Sequence, residues 1–327
     1  MKLKFLNTYK TEPHHNLALE EYLFTIMAED DCILYLWQNK STVVIGKNQN
    51  AYKECKVDTL EKSGGSLARR PSGGGAVYHD LGNLNFTFLA RGKNYNVEKQ
   101  LEVIIYALSF FGLRAERTGR NDICVDGRKF SGNAFLKRGD RHYHHGTILV
   151  DVDMAGLSQF LNVSPKKLQA KGVASVKSRV VNLSELKPEI TVEAMRSALK
   201  KAFEQVYKSS CEEIYEDDFD GRAIDELEEK YRSAKWLFPE KAKATFLMEE
   251  RFNWGEISIG LELSGDRVKS ASVYTDAMET ELAPMLEEIL QGCRFAKDEL
   301  AGRLFAVSED YKTIAEDLRQ LILSQDL

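Results

Sequence analysis

A stretch rich in arginine and glycine, residues 69–80, carries the side chains best suited to bind an anionic substrate. Its sequence is Arg-Arg-Pro-Ser-Gly-Gly-Gly-Ala-Val-Tyr-His-Asp. Glycine lacks a Cβ, so backbone N–H groups can approach a ligand closely, while arginine supplies planar donors for carboxylate or phosphate. A flexible surface turn with incidental arginines is the alternative, and it would be the better interpretation of three glycines alone. A second polar cluster with glycines, residues 119–134, favours the anion-binding loop.

The second cluster places one carboxylate and one amine around a predicted turn. Asp122 precedes and Lys129 follows the pair Asp126-Gly127, which is typical of a tight hairpin turn because both residue types tolerate positive φ. Asp122 could bind Mg²⁺ through oxygen, and Lys129 could neutralise two anions that must react with each other. An ordinary surface ion pair is an equally good interpretation of these residues alone. If the strand after the turn is regular, Lys129, Ser131 and Asn133 share one face.

Three other groups of residues could take part in chemistry, and each has a simpler explanation. Residues 171–180 form a basic, irregular segment that could close over a phosphate, although a solvent-exposed loop is the commoner outcome. His142, His144 and His145 have no regular pairing with Asp, Glu or Cys, so we expect hydrogen-bonding or substrate-lining histidines and no zinc site. Cys124 close to His145 would suit a thiol acyltransferase, but its strand position between two aliphatic residues favours an inert thiol.

The composition is that of an ordinary globular protein with more than one core. Of the 327 residues, 43% are hydrophobic and 29% are charged, and a chain of this length exceeds one typical core. The net charge of −5 argues against a nucleic-acid-binding face. The five cysteines are scattered without a C-x-x-C pair, so neither a disulfide framework nor a zinc site is expected. No apolar run is long enough to span a membrane, and we expect a cytoplasmic protein.

Hydrophobic periodicity predicts the elements that must position these residues. Helical patterns cover residues 16–28, 97–111, 192–207, 224–235, 281–290 and 311–323, and strand patterns cover residues 33–37, 42–46, 83–88, 123–125, 128–130, 143–152, 257–263 and 268–274. The strands at 33–37 and 42–46 are predicted to pair closely, as in a hairpin. Alternation predicts that Leu84, Phe86 and Phe88 face the core of a half-buried strand.

A change in the sequence pattern near residue 245 predicts a domain boundary. We expect a larger domain, residues 1–245, and a smaller α+β domain, residues 246–327. The polar clusters described above all lie in the larger domain.

Taken together, these segments resemble the lipoate-protein ligase A family. The matching segments, in the family's order and spacing, are residues 69–80 with 82–83, residues 119–122, residues 129–134, residues 144–147, and residues 171–172 with 178–180. The resemblance continues in the smaller domain at residues 251–255 and 291–293, so it extends over nearly the whole chain. Several motifs in one order are far more specific than any single motif.

The resemblance implies a fold and a two-step reaction. The fold would be α+β, with a biotin/lipoate ligase-like catalytic domain of mixed, largely antiparallel sheets and flanking helices, and a small C-terminal accessory domain. Lipoate and ATP, with Mg²⁺, would first give lipoyl-AMP and pyrophosphate. The ε-amine of a lysine on a lipoyl domain would then attack the adenylate and release AMP. Neither zinc nor haem is expected.

The resemblance also implies a role for each matching residue. Lys129 would be the central catalytic cation, in contact with the lipoate carboxylate and the α-phosphate, and Asp122 would be the Mg²⁺ ligand. The lipoate-binding residues would be Arg70, Ser72, Gly73, Gly74, Gly75, Lys129 and His145. The ATP-binding residues would be Arg70, Gly75, Ala76, Val77, Tyr78, Asn121, Asp122, Lys129, Lys171, Ser178 and Arg179.

The implied acceptors are the lipoyl domains of 2-oxoacid dehydrogenase acyltransferase subunits, the H protein of glycine cleavage, or both, with no nucleic-acid or membrane partner. Two alternative functions stay open. An octanoyl or lipoyl transferase of the same fold would move an acyl group between carrier proteins without ATP, and Cys124 is the only cysteine close to the motifs. A non-catalytic lipoate or nucleotide sensor would bind the same ligands, although Lys129 argues weakly against it.

Overall fold

The computed structural model describes residues 1–119, 121–162, 180–307 and 311–327 and places them in three sheets flanked by helices. The strands are β1 (Lys2–Asn7), β2 (Asp31–Trp37), β3 (Thr42–Ile45), β4 (Ser66–Arg69), β5 (Val77–His79), β6 (Asn83–Arg91), β7 (Ala115–Thr118), β8 (Asp122–Val125), β9 (Arg128–Arg138), β10 (Arg141–Leu149), β11 (Cys211–Glu213), β12 (Phe246–Phe252), β13 (Gly255–Ser264) and β14 (Arg267–Thr275). The helices are α1 (Pro13–Ile26), α2 (Ala51–Glu54), α3 (Val57–Lys62), α4 (Val97–Ser109), α5 (Met154–Phe160), α6 (Leu183–Leu186), α7 (Val192–Tyr207), α8 (Gly221–Arg232), α9 (Ala234–Leu237), α10 (Leu282–Leu290), α11 (Lys297–Arg303) and α12 (Lys312–Ser324). Among the described residues, no helix has the length and apolar character needed to cross a membrane.

The largest sheet has eight strands in the order β11-β1-β2-β6-β10-β9-β8-β7. β11, β1 and β2 run parallel to one another, and every other neighbouring pair in this sheet is antiparallel. Two sheets of three strands, β4-β3-β5 and β12-β13-β14, complete the architecture. The predicted α+β class with mixed, largely antiparallel sheets is therefore confirmed.

The predicted hairpin between residues 33–37 and 42–46 is wrong. β2 lies in the eight-stranded sheet, whereas β3 pairs with β4 and β5 in a separate sheet. Both strands are completely buried, so their apolar runs are compatible with either sheet. The short connection between them carries the chain from one sheet to the other.

Helices cover both faces of the eight-stranded sheet, so alternate side chains of each strand enter different cores. On β2, Leu34 and Leu36 belong to the apolar cluster formed with α4 and α7, while Tyr35 and Trp37 belong to the cluster formed with α1 and α8. We call the α4 and α7 side the core face. The α1 and α8 side is called the cavity face, because the cavity described below opens on it.

The polar residues of β6 are buried, which the sequence pattern did not predict. Leu84, Phe86 and Phe88 pack on the core face, as expected from their alternation. Asn85 and Thr87 point to the other face and are also buried, because α1 and the neighbouring strands cover them. These two buried polar side chains can take part in a hydrogen-bond network or contact a polar ligand.

A β-bulge in β9 determines which residues of that strand face the cavity. Lys129 pairs with Cys124, but Ser131 pairs with Ile123, so Phe130 is an extra residue on β9. An extra residue in one strand of a pair reverses the alternation beyond it. The turn that precedes this bulge is the predicted one, with a φ of +50° at Asp126.

The bulge overturns the expectation that Lys129, Ser131 and Asn133 share one face. Gly132 lies on the same face as Lys129, since a Cβ on Gly132 would be 2.9 Å from Lys129 Nζ. Asn133 points to the core face, where its Oδ1 lies 2.7 Å from Nε2 of His144. Lys129 is therefore separated from the two polar residues that were expected beside it.

The predicted helix α7 has the predicted bounds, and Thr191 caps it by accepting a hydrogen bond from Ala194 N. Helix α1 begins at Pro13 and not near Asn16, because Glu12 occupies the N-cap position. Asn16 therefore lies within the helix, and its side-chain amide donates to the carbonyl of Gln38 at 2.8 Å.

The C-terminal part of the chain has an apolar core of its own. β13 and β14 form the predicted hairpin, and the cluster of buried residues around it extends from Met248 to Ile322. We call residues 246–327 the C-terminal unit. The domain boundary near residue 245 stays a prediction.

The C-terminal unit contacts the glycine-rich segment directly. Gly74 N donates to Ala277 O at 3.1 Å. Two ion pairs also join the C-terminal unit to the rest of the chain, and in both the C-terminal unit supplies the glutamate. Lys47 lies 2.9 Å from Glu281, and Lys53 lies 3.0 Å from Glu249. The shape of the glycine loop and the position of the C-terminal unit are therefore coupled.

Substitution of Gly73→Ala should loosen the C-terminal unit. A Cβ on Gly73 would lie 2.4 Å from Ala277 O and 2.5 Å from Met278 O, and these backbone atoms can withdraw only if the unit moves. We expect a loss of about 1–3 kcal/mol in the free energy of unfolding and faster proteolytic cleavage near residue 245. The control is Gly221→Ala, where a Cβ meets nothing within 4 Å; equal stability and cleavage of the two variants would contradict the coupling.

Candidate active site

A cavity of about 650 Å³ opens on the cavity face, bounded by the glycine loop and the C-terminal unit. Its wall includes one residue from each of five neighbouring strands, in register across the sheet: Trp37, Asn85, Thr147, Gly132 and Asp122. We call these residues the cross-strand row. Because neighbouring strands lie about 4.8 Å apart, the row is about 19 Å long.

The two ends of the cross-strand row differ in chemistry. Around Trp37 the lining is apolar and includes Leu17 and Val44. Around Asp122 the lining is polar and includes Lys129. A cavity of this length and polarity fits a molecule with an extended apolar part and an anionic part.

The predicted carboxylate and amine meet at the polar end. Lys129 Nζ lies 2.6 Å from Asp122 Oδ1, and the two side chains are 34% and 31% exposed. The carbonyl of Lys129 accepts from Val181 N at 2.9 Å, so the main chain that carries the amine is fixed on both sides. The ammonium is placed to contact an anion in the cavity while Asp122 balances its charge.

Arg70 holds the glycine loop together from inside. Its Nη2 donates to Gly73 O at 2.7 Å and to Gly75 O at 2.8 Å, and its Nε donates to Ser72 Oγ at 3.0 Å. Burial lowers the pKa of Arg70 to about 10, so the guanidinium stays charged at neutral pH. Arg70 lines the cavity, but these hydrogen bonds go to the loop itself, which makes it a support of the loop in this structure. Direct donation to a substrate stays a prediction.

A buried chain of hydrogen bonds joins the glycine loop to the apolar end of the cavity. Ser72 Oγ lies 2.8 Å from His145 Nε2, and His145 Nδ1 lies 2.9 Å from Glu20 Oε1. Thr87 Oγ1 donates to the same carboxylate oxygen at 2.6 Å and accepts from Trp37 Nε1 at 3.1 Å. A carboxylate oxygen can only accept, so Nδ1 donates to Glu20, and Nε2 faces the serine hydroxyl. We call these residues the buried relay.

The predicted site residues divide into those that line the cavity and those that do not. The cavity lining includes Arg70, Gly74, Gly75, Ala76, Val77, Asn121, Asp122, Lys129 and His145. Tyr78 points away from the cavity and packs against Phe160, with ring centroids 5.5 Å apart, because alternation on β5 turns it opposite to its neighbours. Ser72 and Gly73 lie behind the lining. Lys171, Ser178 and Arg179 lie outside the described residues.

No cysteine lines the cavity, and all five cysteines belong to the described part of the chain. Cys124 is buried, and its Sγ lies 2.9 Å from Thr118 Oγ1. His145, its predicted partner, contacts Ser72 and Glu20 instead. The geometry therefore offers no activated thiol at the site.

Two sets of lining or supporting residues were missed by the sequence analysis. Glu20 lies on the helix face that carries Leu17 and Leu23, so a carboxylate inside an apolar stripe was the available indication. From the C-terminal unit, Arg251 and Trp254 line the cavity. Nothing in the local sequence of that unit indicates that it reaches the site.

Comparisons with known proteins agree with this geometry. The family described as lipoyl protein ligase A/B catalytic domain matches residues 12–204, and the family described as bacterial lipoate protein ligase C-terminus matches residues 241–322. A lipoate-protein ligase A from Psychrobacter cryohalolentis is 37% identical over an alignment of 332 positions, which covers 97% of this chain and 96% of that protein.

Solved structures of similar fold contain ligands with an apolar or an anionic part. The crystal structure of LipL1 from P. falciparum in complex with lipoate has a TM-score of 0.86 and 28% identity, and covers 99% of both chains. A lipoate-protein ligase A bound with ATP has a TM-score of 0.62 and 25% identity, over 72% of this chain and 98% of that chain. A bi-partite lipoate protein ligase from Thermoplasma acidophilum, described together with its E2 lipoyl domain, has a TM-score of 0.63 and 27% identity, over 75% of this chain and 98% of that chain.

Substitution of Glu20→Ala should destabilise the protein through the buried relay. The side chain of Glu20 is 1% exposed, and its removal leaves the donors of His145 and Thr87 buried without a partner. We expect the free energy of unfolding, measured by urea denaturation, to fall by about 2–4 kcal/mol. Glu29→Ala, at an exposed position after the same helix, is the control and should change little. Equal stability of both variants would show that the relay does not support the fold.

Proposed function

The chain belongs to the lipoate-protein ligase A family and is an ATP-dependent lipoate-protein ligase, and we propose that it works through a lipoyl-adenylate formed in the cavity described above. In the first step a lipoate carboxylate oxygen attacks the α-phosphorus of ATP, and pyrophosphate leaves. In the second step the ε-amine of an acceptor lysine attacks the acyl carbon, loses a proton, and AMP leaves. The observation that carries the proposal is the ion pair of Lys129 and Asp122 at one end of an elongated cavity whose other end is apolar.

The cross-strand row supports a specific placement of the acyl chain. Lys129 Nζ lies over Gly132, and three strand spacings, about 14 Å, separate Gly132 from Trp37. Extended lipoate, an eight-carbon acid that ends in a ring, fits this length. Its ring would lie against Trp37 and its carboxylate near the ammonium of Lys129. The proposed lipoate site therefore lies under the glycine loop, with His145 on its wall.

Lys129 is the proposed catalytic cation. Two anions, a carboxylate and a phosphate, must come together in the first step, and a fixed ammonium between them lowers their repulsion as charge develops in the transition state. Asp122, 2.6 Å from Nζ, orients the amine before substrates bind. The backbone of Gly75 and Ala76 would lie beside the α-phosphate, where a missing side chain at Gly75 leaves open space.

Asp122 is the residue that would hold Mg²⁺. Its carboxylate is partly exposed at the polar end of the cavity, and Mg²⁺ bound to phosphates commonly takes one or two carboxylates and keeps several waters. The described residues contain no cluster of three His, Cys, Asp or Glu, so the remaining ligands would be phosphate oxygens and water. One carboxylate beside an anion site fits this role. The ion would neutralise phosphate charge during adenylation.

The proposed acceptors are lipoyl domains of 2-oxoacid dehydrogenase acyltransferase subunits and the H protein of glycine cleavage. Support comes from the Thermoplasma acidophilum ligase, which is described with its E2 lipoyl domain. A cytoplasmic location stays part of this proposal, because the reaction consumes ATP.

The decisive test of the function is the product formed from free lipoate. Purified protein with ATP, Mg²⁺, lipoate and a panel of lipoyl-domain proteins should release pyrophosphate and add one lipoyl group to at least one acceptor, as measured by mass. The variant Cys124→Ser should behave like the wild type, since the thiol does not line the cavity. Octanoyl movement between carrier proteins without pyrophosphate release, and abolished by Cys124→Ser, would establish the transferase alternative instead.

Substitution of Lys129→Ala should abolish lipoyl-AMP formation while leaving the fold intact. The amine is partly exposed, so its truncation removes a charge near the reacting groups without opening a core. We expect a fall of about a hundredfold or more in the rate of pyrophosphate release and an unchanged circular dichroism spectrum. Lys137→Ala, at an exposed position on the same strand, is the matched control. Turnover of Lys129→Ala near the wild-type rate would remove this residue from its role.

A further inference from the structure

His144 is a buried histidine that the proposed chemistry does not use. It is completely buried on the core face and lies between the rings of Phe88 and Phe135, with centroid distances of 5.9 Å and 4.8 Å and interplanar angles of 27° and 29°. Within the described part of the chain, no carboxylate contacts its ring nitrogens, which face the amides of Gln100 and Asn133. Burial lowers the pKa of His144 to about 3, so the ring is neutral under physiological conditions.

The hydrogen bonds of Asn133 fix the tautomer of this ring. Asn133 Nδ2 donates to the backbone carbonyl of Asn121 at 3.0 Å, and a carbonyl can only accept. The other amide atom of Asn133, Oδ1, is therefore an acceptor, and it lies 2.7 Å from His144 Nε2. His144 must carry its proton on Nε2 and donate to Asn133.

The same reasoning orients Gln100. With the proton on Nε2, the Nδ1 atom of His144 is an acceptor and needs a donor. Gln100 presents Oε1 to Nδ1 at 3.2 Å, while its Nε2 has no hydrogen-bond partner among the described residues. Rotation of this amide by half a turn places Nε2 against Nδ1 and satisfies both groups, since the two amide ends have nearly the same shape. The chain of donors then runs from Gln100 to His144 to Asn133.

Asn133 and Asn121 are joined reciprocally at the polar end of the cavity. Asn133 N and Nδ2 both donate to Asn121 O, and Asn121 Nδ2 donates to Asn133 O at 3.0 Å. The ladder between β8 and β9 ends with Asp122 opposite Gly132, so these bonds continue the pairing one residue beyond it. They hold the main chain directly before Asp122.

We propose that His144 is a positioning residue for adenylation: its Nε2–H holds Asn133, which locks Asn121 and so fixes the main chain that directs Asp122 toward Lys129. The proposal rests on the function proposed above, because it assigns Asp122 and Lys129 to the first step. His144 touches no substrate in this arrangement. It acts from the core face, through one strand, on the cavity face.

Two amide substitutions separate this role from a contribution to packing. In His144→Gln, the side-chain amide nitrogen can occupy the position of Nε2 and restore the hydrogen bond to Asn133. In His144→Asn, the shorter side chain can reach only the position of Nδ1, next to Gln100, and the hydrogen bond to Asn133 is lost. Both remove the ring stacked between Phe88 and Phe135, so both lose packing energy. We expect the rate constant for lipoyl-AMP formation to fall about fivefold to tenfold in His144→Asn and to stay within about twofold of wild type in His144→Gln. The KM for lipoate should change much less than the rate constant in both variants, because only the carboxylate end of lipoate lies near Lys129.

Two further measurements do not depend on the adenylation step. Nitrogen-15 NMR of the wild-type protein should show His144 as the neutral Nε2–H tautomer from pH 6 to pH 8. Transfer of the lipoyl group from pre-formed lipoyl-AMP to a lipoyl domain should be equal in the wild type and both variants. His142→Gln, on the same strand and stacked on Tyr95 at 4.5 Å, is the matched control for loss of a stacked imidazole, and should adenylate lipoate normally.

The opposite results would overturn the proposal. An Nδ1–H or doubly protonated ring, or equal adenylation rates for His144→Asn and His144→Gln at comparable thermal stability, would leave His144 with a packing role only. If the wild-type protein itself releases no pyrophosphate from lipoate and ATP, the proposed function fails. The NMR measurement then still decides whether His144 donates to Asn133.

Discussion

The register of the eight-stranded sheet is the constraint on which the rest of the site depends. The cross-strand row, from Trp37 to Asp122, lines the cavity from its apolar end to its charged end. Because side chains alternate with a period of two, a shift by one residue would exchange the cavity face for the core face. The bulge at Phe130 shifts the pairing of β9 with β8 by one residue. It brings Lys129 and Gly132 to the same face, so that the ammonium lies over a residue without a side chain.

A second constraint is electrostatic. Arg70 and Glu20 are both buried, and an isolated buried charge is costly. Ser72 and His145 lie between them and connect the guanidinium to the carboxylate by short hydrogen bonds. The loop therefore keeps its shape without a substrate, and its backbone groups do not have to be ordered again when an anion arrives. This is preorganisation of the kind that lowers the cost of binding and of charge development.

Local patterns predicted local features well. The apolar periodicity of residues 192–207 was sufficient for the bounds of α7, and the Asp126-Gly127 turn brought Asp122 and Lys129 together as expected. Features set by long-range packing were not predictable in this way. The assignment of β3 to its own sheet depends on β4 and β5, and the bulge at Phe130 leaves no mark in an alternating sequence. Arg251 reaches the cavity only because the C-terminal unit packs against the glycine loop, and that contact involves the backbone.

The hydrogen bond from Trp37 to Thr87 has a consequence for how the substrate range of this enzyme can evolve. Trp37 forms the apolar end of the cavity, and it is also the terminal member of the buried relay that leads through Glu20 to the serine of the glycine loop. In the proposed placement of the acyl chain, a smaller side chain at position 37 would admit a bulkier acyl group, but it would also remove the Nε1–H donor from that relay. Substitutions that widen the cavity are therefore expected to be epistatic with substitutions at Thr87 and Glu20, and new acyl specificity should arise most readily when these positions change together.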